Sequence, residues 1–277
     1  MFIQEISIEI NNPDVDRVKL IEQMDWFLGT MTRNGQLQDV YTPMYFYDNR
    51  LICLVIVQEK SSFARKNDNI YVRQRRSETE KMCRAKFQVK TLGKDEPTKV
   101  NNRISGGRIC RCKKPSSYIL WTEYCIVHSP IICGDCGGYV PLYRIPKPPE
   151  YDEKGYSDPG RQECFYMYTW ENAYQMCDRL HIYSGFGERW ATRQLQEHDS
   201  GLSKDGRKVC REIENMVGVP VYYYLYNYRR LTEEQDKERK CPECGNDWLL
   251  DEPWHGLDFC CEPCRLVSNI TYNTYMI

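Results

Sequence analysis

Apolar positions in the first hundred residues switch between two periods. Phe2, Gln4, Ile6, Ile8 and Ile10 line one side of an extended segment, with Ile3, Glu5, Ser7 and Glu9 on the other, which predicts a strand. Asn12-Pro13-Asp14 interrupts it, and Pro13 suits the first turn of a helix. Val18, Ile21, Met24, Phe27 and Leu28 then keep a helical stripe until Asn34-Gly35 breaks it. Val40 to Tyr47 reads as a strand, Asp48-Asn49 as a turn, and Arg50 to Gln58 as an apolar strand. A basic helix is expected from about Asn69 to Cys83, and Ala85 to Thr91 alternates again before Gly93. Strand, helix, strand, strand, helix, strand is the order of a ferredoxin-like βαββαβ sandwich, expected over residues 1–95.

Beyond a polar, Gly-containing stretch (94–109), a cysteine-rich module is expected over 108–146, followed by a Pro- and Tyr-rich loop. Residues 160–230 read as mainly helical. Tyr166, Trp170, Ala173, Tyr174, Cys177 and Leu180 share helical spacing, Ser184-Gly185-Phe-Gly187 stops that run, and Glu188 to His198 is a shorter helix. Ser203 is the expected N-cap of a third helix, which Gly218 ends. Val219 to Tyr228 reads as a strand with Tyr222, Tyr224, Tyr226 and Tyr228 on one face, suited to packing in a sheet or to stacking bases. A charged connector leads to a second cysteine-rich module over 238–277. The expected class is therefore α+β: a ferredoxin-like domain followed by two zinc-ribbon modules with a helical insert between them.

The two modules carry the most specific chemistry. Cys241-Pro-Glu-Cys244-Gly245 and Cys261-Glu-Pro-Cys264 enclose sixteen residues, enough for a hairpin that returns the second turn to the first. That spacing predicts a zinc ribbon with Cys241, Cys244, Cys261 and Cys264 as ligands. Cys260 would point away from Cys261 in an extended backbone, and His255 is not needed once four thiolates are present. Upstream, Cys110-Arg-Cys112 is followed after twenty residues by Cys133-Gly-Asp-Cys136. Here one turn is a residue shorter than in a regular ribbon. Cys110, Cys112, Cys133 and Cys136 are the expected ligands, with Cys125 and His128 as possible substitutes and a redox pair at Cys133/Cys136 as the competing reading. One or two structural Zn2+ ions are expected. A closed tetrahedron has no open position for substrate, so the metal would support folding rather than turnover.

Fifteen cysteines in 277 residues would suit a disulfide-rich secreted chain. The start, Met1-Phe-Ile-Gln-Glu-Ile, has no basic head, and Glu5 and Glu9 interrupt it, so a reducing cytoplasmic setting is expected. The longest apolar run, Leu51 to Val57, is too short to cross a bilayer. Cys53, Cys83, Cys164, Cys177 and Cys210 lie among apolar neighbours and read as core residues.

Net charge is −1, but residues 60–114 hold 17 basic and 5 acidic side chains, a net of +12. That block is a candidate footprint for phosphate. Arg73, Arg75, Arg76, Lys81, Arg84, Lys86, Arg108, Arg111, Lys113 and Lys114 are the candidate nucleic-acid contacts; the plain alternative is a solvated helix and loop. No Walker loop and no His-Glu-x-x-His occurs, and Gly185-Phe-Gly187 lacks a third glycine. His198-Asp199-Ser200 and the pair Cys125/His128 are adjacent in sequence, which is not catalytic geometry.

Pro115-Ser-Ser-Tyr-Ile-Leu120, Ser129-Pro-Ile-Ile-Cys-Gly-Asp-Cys136, Val140-Pro-Leu-Tyr-Arg144, Cys241-Pro-Glu-Cys-Gly245, Trp254-His-Gly256 and Cys264-Arg-Leu-Val-Ser268 together resemble a bacterial family. That family is described as Zn-ribbon-containing, with nucleic-acid binding suggested for it and a domain of unknown function. The resemblance covers the middle and the C-terminal part of the chain and implies zinc at the matching cysteines. The resulting expectation is a non-enzymatic zinc-ribbon protein that binds DNA or RNA. The alternative is a protein-interaction module, of adaptor or immunity type, stapled by zinc.

Overall fold

The computed structural model describes residues 1–94, 108–124, 129–147, 149–150, 164–229 and 231–271. Cys125, His128 and most of the two expected linkers lie outside the described residues. The chain is mixed α+β, with two sheets and several helices divided between two compact units. No described helix is long and apolar enough to cross a membrane.

The first unit holds residues 1–94 and described residues between 141 and 165. Its elements are β1 (Phe2–Glu9), α1 (Arg17–Arg33), β2 (Asp39–Val40), β3 (Tyr45–Tyr47), β4 (Arg50–Val57), α2 (Ile70–Cys83) and β5 (Phe87–Lys94). The sheet runs β2-β4-β1-β5, with β3 also on β4. β1 is antiparallel to both neighbours, placing Ile6 opposite Cys53 on one side and Val89 on the other. The β1 alternation therefore turns Ile6 and Ile8 inward, onto Leu20, Met24 and Phe27 of the α1 stripe. Asp16, not Pro13, starts that helix, accepting hydrogen bonds from the Val18 and Lys19 amides. Asn69 caps α2 in the same way, through the Val72 amide.

The single strand expected from Val40 to Tyr47 is split into β2 and β3. Pro43 in the gap has no N–H for the ladder, and Thr42 Oγ1 instead accepts from the Leu54 amide at 3.2 Å. Residues 141–146, which the sequence assigns to the first cysteine module, belong to this unit. Gly35, at φ 76°, presses against Leu142 so closely that a Cβ there would lie 2.5 Å from the Leu142 Cβ. Tyr143 and Arg144 both reach the Glu59 carboxylate.

The second unit holds residues 108–124, 130–140 and 166–271 of the described chain. Its elements are β6 (Tyr118–Leu120), β7 (Ile131–Cys133), α3 (Phe165–Tyr183), α4 (Glu188–Gln196), α5 (Gly201–Val217), β8 (Val221–Tyr224), α6 (Glu233–Lys237), β9 (Leu249–Trp254), β10 (Leu257–Cys261) and β11 (Leu266–Ser268). All six strands form one sheet in the order β7-β6-β8-β11-β10-β9. The two cysteine modules are thus two ends of one sheet, joined through β8, which is parallel to both β6 and β11.

Tyr222 and Tyr224 are buried with Ile119, Trp121, Ile132, Tyr139, Leu257 and Val267. They fill a core and are not available for stacking bases. Tyr223 faces the other way, onto Trp170, and a Cβ on Gly206 would lie 2.2 Å from its ring. Only glycine lets α5 approach the sheet this closely. Ser200, not Ser203, caps α5, and Gly218 at φ 72° ends it.

Candidate metal centres

Each predicted ligand set is brought together. The four sulfurs of Cys110, Cys112, Cys133 and Cys136 lie within 4.8 Å of one another, and so do those of Cys241, Cys244, Cys261 and Cys264. Cys244 and Cys261 Sγ are 3.6 Å apart. A tetrahedron with Zn–S bonds of about 2.3 Å has edges of about 3.8 Å. The donor set therefore fits a single tetrahedral ion, and four thiolates suit zinc or iron better than hard cations.

The local backbone explains the gathering. At Cys133 the carbonyl accepts from Gly137 N at 2.9 Å and the amide donates to Gly138 O at 2.9 Å. At Cys241 the same two bonds recur, from Gly245 N at 2.8 Å and to Asn246 O at 2.9 Å. Gly137 and Gly245 both take positive φ, 68° and 75°, which closes each turn and aims amides at sulfur. Arg265 follows Cys264 with φ 52°, so a third turn repeats the form without glycine. Its side chain pairs with Glu214 of α5 at 3.2 Å, and Glu243 between the first two ligands pairs with Arg207 at 2.7 Å. Two ion pairs thus brace the second centre on α5. The short Cys110-Arg-Cys112 turn is held differently, with the Cys112 amide donating to Cys110 Sγ at 3.4 Å and Cys110 N donating to Tyr139 O at 2.8 Å.

Burial pushes the Cys133 and Cys261 thiols up, each to about 11. At Cys244 the Asn246 backbone amide pulls the thiol down to about 7. A dication among the four would hold all of them as thiolates. The five cysteines read as core residues, Cys53, Cys83, Cys164, Cys177 and Cys210, are all buried.

The ten candidate basic residues separate into two groups. In the first unit, Arg76 is buried, with Nε 2.7 Å from Asp68. That corrects its assignment to phosphate contact, because a desolvated, paired guanidinium is not presented to a ligand. Arg73 pairs with Glu150, Arg75 with Glu78 at 3.0 Å and Lys86 with Glu80 at 2.8 Å. Arg84 caps the end of α2 and is exposed, as is Lys81. In the second unit Arg108, Arg111, Lys113 and Lys114 are all exposed on the loop that carries Cys110 and Cys112.

Among the described residues, His181 and His198 make separate contacts. His181 Nδ1 lies 2.8 Å from Thr192 Oγ1, and burial lowers its pKa. His198 lies 3.7 Å from Glu243 beside the second centre.

Sequence reasoning missed a polar seam along α3. Asp178 accepts from the Tyr124 amide at 2.9 Å, and Thr122 Oγ1 donates to Glu171 at 3.5 Å. Burial raises Glu171 to about 8 and Asp178 to about 6. Both folded pKa values lie above the unfolded ones, so these two groups bind more protons in the native state and their contribution to stability falls as pH rises from about 4 to 8. Glu171→Gln removes the burial of that charge and should stabilise the protein at pH 8 by roughly 1–2 kcal/mol, with little effect at pH 5. Thermal unfolding of parent and variant at both pH values checks this.

Three families, each described as a domain of unknown function, match successive parts of the chain: DUF8589 over residues 1–93, DUF2310 over 112–226 and DUF8594 over 230–274. A protein of Haemophilus influenzae (strain ATCC 51907 / DSM 11121 / KW20 / Rd) is 29% identical over 246 residues, covering 87% of each chain. A second protein of the same strain is 33% identical over 161 residues, covering 57% of this chain and 73% of that one. The chain belongs to the family of these proteins. Both carry only the name "Uncharacterized protein". No solved structure matches the chain. The DUF8594 match contains all four ligands of the second centre, whereas the DUF2310 match begins at Cys112 and leaves Cys110 just outside.

Proposed function

We propose that the chain is a non-enzymatic zinc-ribbon protein in which two structural Zn2+ ions hold a surface for DNA or RNA. The observation that supports this most is the loop from Arg108 to Lys114. Its four cations, Arg108, Arg111, Lys113 and Lys114, are exposed, and none forms an ion pair among the described residues. Cys110 and Cys112 anchor the same loop to the first centre, and Tyr139 N donates to Arg108 O at 2.8 Å. A loop tied at Arg108, Cys110 and Cys112, with four cations unpaired among the described residues, suits a phosphate backbone. The closed thiolate sets favour a structural rather than a catalytic ion.

Gel-shift titration over salt tests this reading. Each phosphate contact contributes about 0.7–0.9 to the slope of log K on log salt. Replacing all four cations by Gln should flatten that slope by about 3 if each meets a phosphate. Absence of binding at low salt, or an unchanged slope in the variant, overturns the nucleic-acid reading.

A second reading is a protein-interaction module of adaptor or immunity type, stapled by zinc. It draws on the exposed aromatics at the α3–α4 corner: Tyr183, Phe186 and Trp190 are 70%, 85% and 57% accessible. A protein partner retained from nuclease-treated lysate would favour it. For the first unit we propose a ferredoxin-like sandwich whose second strand is broken into β2 and β3. The path β2-β4-β1-β5, with two helices as crossovers, supports that assignment.

A further inference from the structure

The turn at Cys133 carries an unusual load. The carbonyl of Gly134, the residue after this ligand, accepts from Trp254 Nε1 at 2.8 Å and from His255 Nε2 at 2.7 Å. Both donors lie 120 or more positions away, at the tip of the β9–β10 hairpin. That tip is a two-residue turn, His255-Gly256, with φ 53° and 82°. Two positive φ values are what a type I′ hairpin turn requires, so the tip is rigid. The Trp254 ring is wedged in place, 5.2 Å from Tyr222, and a Cβ on Gly134 would lie 2.7 Å from it. From the other side the Gly134 amide donates to Ser117 O at 2.8 Å, and Asp135 accepts from Ser116 N at 3.0 Å. The Cys133–Cys136 turn is thus gripped on two faces. One grip is local, through Ser116 and Ser117. The other comes from the hairpin whose strand β10 ends at Cys261, a ligand of the second centre.

We propose that Trp254 and His255 are positioning residues of the first metal centre, and that through them the two centres are energetically coupled. The proposal rests on the reading of both cysteine sets as metal centres. Metal at the second centre fixes Cys261 and hence the register of β9 and β10. The hairpin tip then holds the Gly134 carbonyl, and with it the turn that offers Cys133 and Cys136 sulfur. Emptying the second centre frees the hairpin and loosens the first. Linkage makes the effect reciprocal: metal at the first centre tightens the second by the same factor. Groups that support metal ligands in this way typically change affinity by about 10–100-fold.

The test is transfer of zinc to a colorimetric chelator from the full chain loaded with metal. The double variant Trp254→Phe, His255→Asn keeps a ring on Tyr222 and a residue that tolerates positive φ, but removes both donors. In the parent, two equivalents should transfer slowly. In the variant both equivalents should leave faster than from the parent, the first centre's by roughly 10–100-fold because its turn loses both donors. In a Cys261→Ser, Cys264→Ser variant, the single remaining equivalent should also leave faster than its parent counterpart. Two equivalents leaving the Trp254/His255 variant at parent rates, or a Cys261→Ser, Cys264→Ser variant whose remaining equivalent keeps its parent rate, overturns the coupling while leaving two metal centres in place. A parent chain that holds fewer than two equivalents overturns the metal reading, and the coupling with it.

Discussion

Stripping metal from the chain with a strong chelator at neutral pH should unfold the strands of the second unit and leave the first unit folded. The second sheet is built from short pieces: β6, β7 and β11 have three residues each and β8 has four. Strands of that length hold few ladder bonds, and β7 and the five-residue β10 end in candidate ligands. Structural zinc supplies about 10–16 kcal/mol of apparent binding free energy in small zinc modules. A domain is typically stable by only about 5–15 kcal/mol. Removing the ions therefore outweighs the stability expected of the unit. The first unit has its own core of Ile6, Ile8, Leu20, Met24, Phe27, Leu51 and Val55, and no metal-ligating cluster among its described residues. Hydrogen exchange read by mass spectrometry separates the two outcomes. Protection should persist in β1 and β4 and vanish from β6, β8, β10 and β11. Loss from both units together, or from neither, contradicts the assignment.

Arg76→Ala should destabilise the first unit by about 3–5 kcal/mol. The guanidinium donates to Asp68 through Nε at 2.7 Å and Nη2 at 2.9 Å, and Nη2 also donates to Phe63 O at 3.1 Å. It lies against two rings that touch each other edge to face, 4.1 Å from the Phe63 centroid and 5.3 Å from that of Phe27. Truncation leaves the buried Asp68 carboxylate with only the Gln36 amide, at 2.9 Å, among the side-chain donors described. An uncompensated buried charge is what makes breaking such a pair costly. Arg76→Lys should not rescue it, because an ammonium cannot reproduce the planar fork or stack on the Phe63 ring. Arg76→Met with Asp68→Asn removes both charges and should recover part of the loss. Urea unfolding followed by exchange of the β1 and β4 amides gives the size of each effect. An Arg76→Ala chain as stable as its parent, but weaker on nucleic acid, would restore Arg76 to the phosphate-contact list.

What the sequence revealed was mostly local. Asn69 and Gly218 mark helix ends because a cap acts within a few residues of itself. Three of the four cysteine pairs were legible as metal turns because two residues separate their thiols, with a glycine after two of them, whereas Cys110 and Cys112 are one residue apart and were read from their place upstream of Cys133 and Cys136. The single sheet was not legible. It depends on parallel pairing of β8 with β6 and β11, between segments far apart in the chain, and strands of three or four residues leave little alternation to read. At Arg73 and Arg76 the basic block was not legible for the same reason. The charges of Arg73 and Arg76 are visible in sequence, but the partner of Arg73 is Glu150, 77 positions away, and burial of Arg76 follows from tertiary packing. Trp254 and His255 stood in a motif whose purpose was hidden until the fold set them on Gly134.

The central claim is that eight thiolates hold two ions, which in turn hold the second unit. Native mass spectrometry of freshly purified full-length chain, paired with elemental analysis, tests it most directly. The account predicts a folded species carrying two zinc ions, falling to one in Cys241→Ser, Cys244→Ser and to one in Cys133→Ser, Cys136→Ser. A metal-free parent with a folded charge-state distribution that persists in chelator would contradict it.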